Sequence, residues 1–525
     1  MAVREEIERA RGGEGPVARR PWLPTPADVL FLAIGVLGPV LAGGALLNAD
    51  GDVARHIRLG EWMIEARAVI DRDLFSFTRA GEPFLDFEWL SQVIYAAAHR
   101  AGGLPAVAAF AGLLLGAAYA LLYRFLRGQG VDTLLALGAT VLGALCGMLH
   151  WLARPHLFSI LATVLLLGLL ERPGRHRLVP IALLFALWAN LHGGFLFGLI
   201  LIALYAAGEA MESWLDRDAG TAWRRRLRDH AAAFLVAAVA TLANPAGPRL
   251  LAHVVSFFGD DVVLDATLEF RSPDFHEPHT WPLLLALLLV LAALALRRGR
   301  PPLPWLLVIL VTAAFALFAA RNAALFGITA VPLAAMAVDA DWRRADPLAR
   351  ARRALAFGDA GGRLGPWAAV GAALLLLLVL RGGEAWGRRL LPASFDPARF
   401  PVAAVAAARA AGLEGRIFNE FAWGGYLVYA WPEQRVFIDG QTDHYGADLV
   451  RDYLRVAGLA PDWRAVLDRW RIEHVLVPAR SRLRAQLARE PGWRIAYCDA
   501  TAVLLTRRPG PTIGRIGGCA PDPAG

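Results

Sequence analysis

The chain has 525 residues, 57% of them hydrophobic and only 19% charged, with a mean hydropathy of +0.44. That composition belongs to polytopic membrane proteins and excludes an ordinary soluble globule. All 54 basic residues are arginine, which excludes a lysine-based phosphate loop and a Schiff-base lysine. The net charge of +8 is not accompanied by a basic–aromatic array, so no nucleic-acid partner is expected.

Residues 1–25 read as a cytoplasmic tail. A transmembrane region follows over 26–385, with apolar runs of about spanning length. They lie near 27–47, 104–123, 132–151, 156–171, 178–191, 193–211, 231–246, 281–297, 303–319, 322–339 and 365–381. Arginine gathers ahead of the first run and in every second link, at 124–127, 172–177, 224–228, 297–300 and 343–353. Positive residues mark cytoplasmic links, so about 11 TM helices with a cytoplasmic N-terminus leave the C-terminal part outside. The stretch 178–211 is too long for one helix, and two short helices turning at Asn190-Leu191-His192-Gly193-Gly194 are expected.

An external loop over 48–103 carries Trp62, Phe75, Phe77, Phe84, Phe87 and Trp89, a set suited to lying at the membrane interface. A second external loop, 247–280, holds Asp260, Asp261, Asp265, Glu269, Arg271, Asp274, His276 and His279. From 392 to 509 the pattern becomes that of an extracytoplasmic α/β domain. Strand-like runs at 435–438, 474–477, 494–497 and 502–506 alternate with helical patterns at 447–457, 462–471 and 481–489, which predicts a mostly parallel sheet. Residues 510–525 form a loose tail. Cys498 and Cys519 both fall outside, where a disulfide persists.

Asn48-Ala49-Asp50-Gly51-Asp52, with His56 one helical turn on, directly follows the first apolar run. Carboxylates at a membrane lip are costly unless they bind or react with something, although an Asp-x-Asp also serves as a helix cap in a solvated loop. Two such carboxylates hold a divalent cation together or divide labour as base and ligand. Glu88 closes the same loop. Arg154 and His156 occupy a tight link broken by Pro155; an arginine there either snorkels to the interface or grips a phosphate. Asn190 and His192 form a turn that either caps a helix or contacts a ligand. Arg321, between two apolar runs, calls for a phosphate or an internal carboxylate, and Arg271 is a candidate of the same kind. In the outer domain the densest polar stretches are 420–426 and 437–443.

Together these residues resemble the GT-C superfamily of polytopic membrane glycosyltransferases, which use polyprenyl-phosphate sugars. The resemblance is carried by Asp50 and Asp52 after the first run, and by segments 50–62, 73–90, 154–158, 188–194 and 423–443. It implies a multi-pass protein of a bacterial inner membrane, taking a polyprenyl-phosphate-linked sugar among the membrane lipids. The sugar passes to an extracytoplasmic acceptor with inversion. The resemblance further implies Asp50, Asp52 and His56 as catalytic residues, with Asp50 the base. Glu88, Arg154, His156, Asn190, His192, Arg271 and Arg321 are implied around the substrates, and possible Mg or Mn at Asp50 and Asp52. Where several members carry an acidic group in the next external link, this chain has Arg154-Pro155-His156. A lipid or solute transporter or flippase, and an inert glycan-binding scaffold, are the competing readings.

Overall fold

The computed structural model describes residues 23–49, 51–172, 174–215, 222–257, 268–345 and 363–508. It is mostly helical, and every one of the apolar runs lies on a helix. In chain order these are α1 (Pro26–Leu47), α2 (Asp52–Ala66), α3 (Trp89–Gly128), α4 (Thr133–Gly147), α5 (His156–Leu170), α6 (Leu178–Leu191) and α7 (Phe195–Leu215). They continue with α8 (Ala222–Ala240), α9 (Pro248–Phe257), α10 (Trp281–Leu296), α11 (Leu303–Phe318), α12 (Ala323–Ala345) and α13 (Pro366–Leu380). Among the described residues five helices are long and apolar enough to cross a membrane: α1, α3, α7, and α10 and α12 with the short turns that lead into them. The apolar helices α4, α5, α11 and α13 are shorter, at 15 or 16 residues.

Local chemistry sets the ends of these helices. Thr25 caps α1 in a reciprocal box with Asp28, and Asp28 also accepts from the backbone N–H of Gly365 at 2.9 Å and Ala368 at 3.1 Å. One carboxylate thus satisfies the orphan donors of both α1 and α13. Helix α3 is broken at Gly102 and Gly103, where Gly103 takes φ +64° ahead of Pro105. Its first segment, which the sequence placed in the loop, is therefore helical from Trp89. Helices α4 and α12 cross where Gly143 meets Gly327; a Cβ on Gly143 would lie 2.4 Å from the Gly327 carbonyl. Small residues permit that close approach of backbones. The expected turn between α6 and α7 is present.

Beyond α13, a short β1–β2 hairpin (Glu384–Ala385, Arg388–Arg389) leads to α14 (Val402–Ala410), β3 (Ile417–Asn419), α15 (Gly424–Ala430), α16 (Thr442–Ala457) and α17 (Trp463–Arg469). Then come β4 (His474–Pro478), α18 (Arg482–Leu487), β5 (Trp493–Cys498) and β6 (Ala502–Arg507). The sheet order is β3-β4-β6-β5, and only the β3–β4 pair is parallel. The expected mostly parallel sheet is thus corrected to a mixed one, because the three residues between β5 and β6 permit only a hairpin. Residues 435–438 do not join this sheet; Val436 makes an isolated bridge with Ser76. Cys498 is disulfide-bonded, and Cys519 lies outside the described residues.

The aromatics of the first loop are partly buried by packing. Residues 52–66 form α2, whose Ala54, Leu59 and Met63 are buried in one core with Phe400, Trp423, Tyr426 and Leu504. Trp62, Phe75, Phe84 and Trp89 pack against that core, and Phe77 against the neighbouring one under the sheet. The C-terminal layer has one core of its own, around Phe418, Phe437, Tyr445 and Leu505, and shares a second with residues 54–70. Asn48 fastens the same join, donating to the Ser394 carbonyl at 2.9 Å and accepting from the Asp396 N–H at 2.7 Å.

Candidate active site

The end of α1, the start of α2, the α4–α5 link and the α6–α7 turn meet beneath this join. Gly51 and Gly425 bring α2 against the N-terminal end of α15. A Cβ on Gly425 would lie 2.3 Å from the Gly51 carbonyl. The glycine pair at 424–425, dense in the sequence, therefore serves packing. Asp52, the first residue of α2, points its carboxylate at Gly440 and at Arg154.

Arg154 is the hub. Its two terminal nitrogens reach Asp52 Oδ2 at 2.8 Å and Glu269 Oε1 at 3.0 Å. Arg321 approaches the other oxygen of Glu269 at 4.0 Å and lies over the Phe270 ring, 4.6 Å from its centroid. Burial alone would push the Glu269 carboxyl up, but Arg154 and then Arg321 bring it down to about 2. It is an anion at any physiological pH, and two guanidinium groups converge on it.

A second carboxylate faces this pair. Glu88 lies 3.9 Å from His56 Nε2 through one oxygen and 3.6 Å from His192 Nε2 through the other. His192 Nδ1 accepts from the Gly194 N–H at 3.0 Å and lies 2.7 Å from the Ser159 hydroxyl, which accepts from the Trp188 indole at 2.7 Å. A nitrogen that accepts carries no proton, so the neutral His192 ring presents Nε2–H to Glu88. Burial keeps both His56 and His192 uncharged, His192 being lowered to about 3. Burial, followed by the charge of Asp86, raises Glu88 to about 8; burial raises Asp86 to about 7. These carboxyls hold or release a proton near neutrality.

Arg55, buried behind Asp52, faces Asp439 at 3.5 Å, and its Nη2 has no hydrogen-bond partner among the described residues. His253 of α9 reaches Asp443 at 2.9 Å. In the sequence Asp439 and Asp443 flank Gly440 as either a ligand loop or turn chemistry at a strand end; their ties to α2 and α9 are tertiary.

The structure thus brings Asp52, His56, Glu88, Arg154, His192 and Arg321 together. His156 lies behind them, its Nε2 against the His150 carbonyl and its ring 6.4 Å from that of His192. Asn190 turns away: its amide donates to the carbonyls of Ala186 and Ala243 at 2.7 Å each, and its oxygen accepts from the Trp89 indole at 2.8 Å. Arg271 is exposed, and its carbonyl accepts from the Ala320 N–H. Asp50, Asp260, Asp261 and Asp265 lie outside the described residues. Among the described residues no group of three or more metal-ligating side chains forms. With Asp52 turned to Arg154, the described residues do not make up a divalent-cation site.

The sequence left Glu269 unranked among the acids of its loop, and Ser159 and Trp188 unremarked. Glu269 had one signal, the expectation that Arg321 calls for an internal carboxylate, and that does not separate it from the other acids of its loop.

No family model matches the chain, and no curated protein matches it in sequence. Its fold is similar to that of the archaeal oligosaccharyltransferase AglB from Archaeoglobus fulgidus, solved in complex with an inhibitory peptide and a dolichol-phosphate. The TM-score is 0.53, over 86% of this chain and 68% of that one, at 13% identity. The two chains share an overall fold. The same archaeal enzyme, tethered to an acceptor peptide containing the NVT sequon, gives a TM-score of 0.54 at 14% identity, over 86% and 68% of the two chains. The mycobacterial arabinofuranosyltransferase AftD gives 0.51 at 14% identity, over 94% of this chain and 40% of that one. At these identities the likeness is one of fold, and in this chain the Asp52–Arg154 cluster lies at one end of the helices.

Proposed function

We propose that this chain is a membrane glycosyltransferase that moves a sugar from a polyprenyl-phosphate donor to an extracytoplasmic acceptor with inversion. One observation carries the reading: Arg154 and Arg321 converge on Glu269 at the same end of the helices as the Asp52 and Glu88 carboxylates. The archaeal neighbour's dolichol-phosphate and acceptor peptide are of the same chemical kinds as the proposed donor and acceptor.

One carboxylate, Asp50 by preference or else Asp52, takes the proton of the acceptor hydroxyl. The oxygen then attacks the anomeric carbon from the face opposite the phosphate. The carbon–oxygen bond to phosphate breaks, and its electron pair leaves with the lipid phosphate. Arg154 and Arg321, already desolvated and aimed, meet the negative charge that develops there. Glu88, held between His56 and His192, orients the acceptor and relays the released proton. The donor's tail stays in lipid while its phosphate sits at headgroup depth, so the reaction belongs at the lip of the bilayer. The arginine-rich links, at the helix ends remote from the cluster, support a cytoplasmic N-terminus and an outward-facing site.

The test is release of polyprenyl phosphate by the full chain in liposomes carrying a radiolabelled polyprenyl-phosphate sugar. Wild type releases it. Asp50→Asn and Asp52→Asn fold equally well, and at least one of them does not release it. Full turnover in both removes the proposed base.

A further inference from the structure

At the opposite end of the helices lies a polar cavity of about 190 Å³, lined by Arg175, Arg225, Arg228 and Asp229. Arg175 belongs to the short turn Arg175–Arg177 that starts α6; the other three stand on α8. The spacing of 225, 228 and 229 puts them on one helical face. That end is remote from the candidate active site, because α6 runs for 14 residues, about 21 Å, between the cavity and the His192 turn.

Asp229 meets Arg175 at 3.6 Å. Arg228 gives its Nε to the Arg224 carbonyl at 3.2 Å, and both Arg225 and Arg228 are exposed. Arg226, the neighbour that could have neutralised none of these, is taken by Glu209 at 2.6 Å. Among the described residues, three guanidinium groups and one carboxylate line a cleft the size of a phosphate ester. Planar guanidinium forks match phosphate oxygens pairwise. Next along the chain toward α8, α7 ends in Met211, Trp214 and Leu215, with Trp214 78% exposed. An exposed tryptophan at the end of an apolar helix marks headgroup depth.

We propose that this cavity is a binding site for a phosphate ester, separate from the transferase centre, with an anionic phospholipid headgroup as its source. Basic pockets between membrane helices take such headgroups, and the apolar end of α7 offers a surface for acyl chains. The inference does not depend on the glycosyltransferase reading, since a protein inactive in transfer would still show it.

The experiment measures Tm of the full chain in nanodiscs of phosphatidylcholine alone, of phosphatidylcholine with phosphatidylglycerol, and of phosphatidylcholine with added inorganic phosphate. Each is compared with the Arg225→Gln/Arg228→Gln variant and with Arg175→Gln. Phosphatidylglycerol is expected to raise the wild-type Tm by about 4 °C or more, and the double variant is expected to lose most of that rise. A rise with inorganic phosphate alone, lost in the same variant, assigns the site to a soluble phosphate and keeps it. No rise with either additive, or a rise equal in wild type and both variants, overturns it. If the double variant fails to fold, Arg175→Gln, changed at an exposed side chain, decides by the same criterion.

Discussion

Gly440 and the Asp52 carboxylate touch so closely that a Cβ on Gly440 would stand 2.0 Å from Asp52 Oδ1. A loop of the C-terminal layer thereby fixes where the first acid of α2 points. Gly440→Ala should push that carboxylate off Arg154 without disturbing either core. The expected outcome is a fall in kcat of about 100-fold at nearly unchanged Tm, since small displacements of reacting groups cost rate steeply. Steady-state transfer assays with thermal unfolding of the same samples check it.

Arg321→Ala should remove one of the two cations available to a departing phosphate. A loss of about 10²–10³ in kcat is expected, the usual cost of deleting one donor to developing negative charge. Arg321→Lys should recover only part of it, because an ammonium lacks the planar fork. Equal activity in all three proteins would separate Arg321 from the reaction.

The Trp188–Ser159–His192 chain makes a prediction of a different kind. Ser159→Ala strands the buried Trp188 indole donor and frees His192 to change tautomer. Stability should fall by about 1–3 kcal/mol, the cost of a buried unpaired polar group. The pH profile of kcat should also shift, which loss of packing alone would not produce. Denaturant unfolding and pH–rate profiles read the two effects.

Glu88 gives a signed pH dependence. Its folded value is raised to about 8 from an ordinary 4.5, so between those values the folded state holds more protons than the unfolded one. Stability therefore falls as pH rises through that window, and the contribution is fully present only below about 4.5. Glu88→Gln should flatten the fall in Tm between pH 5 and pH 8 relative to wild type. A slope identical to wild type would contradict the enclosed, protonated carboxyl.

Much of this architecture is legible in the sequence because bilayers impose length and arginine placement. Apart from α2 and α9, which lie in stretches read as loops, the helices from α1 to α13 follow the apolar runs, and the turn at 190–194 follows from a stretch too long for one pass. Arg154, Asp52 and Arg321 are legible for a related reason, since ionised groups beside apolar runs call for partners. The sheet is less so. Whether β5 and β6 pair as a hairpin depends on a three-residue turn, which period-2 patterning does not register, and Val436 has strand chemistry yet meets Ser76. The loop aromatics have the composition of an interface belt; only the structure shows that Phe75, Phe84 and Trp89 are consumed by a core contributed from the far end of the chain. Asn190 has the chemistry of a ligand contact, and its amide is spent on helix carbonyls.

The core shared between residues 54–70 and 400–504 has a consequence for biogenesis. The loop that follows the first helix emerges early in synthesis, yet Ala54, Leu59 and Met63 find their packing partners only when Phe400 through Leu504 have been made and delivered to the same side. Until then the acids of α2 have no Gly440 to rest against and Arg55 no Asp439. A half-made chain therefore lacks the residues that pack against Ala54, Leu59 and Met63 and that hold Asp52 and Arg55 in place.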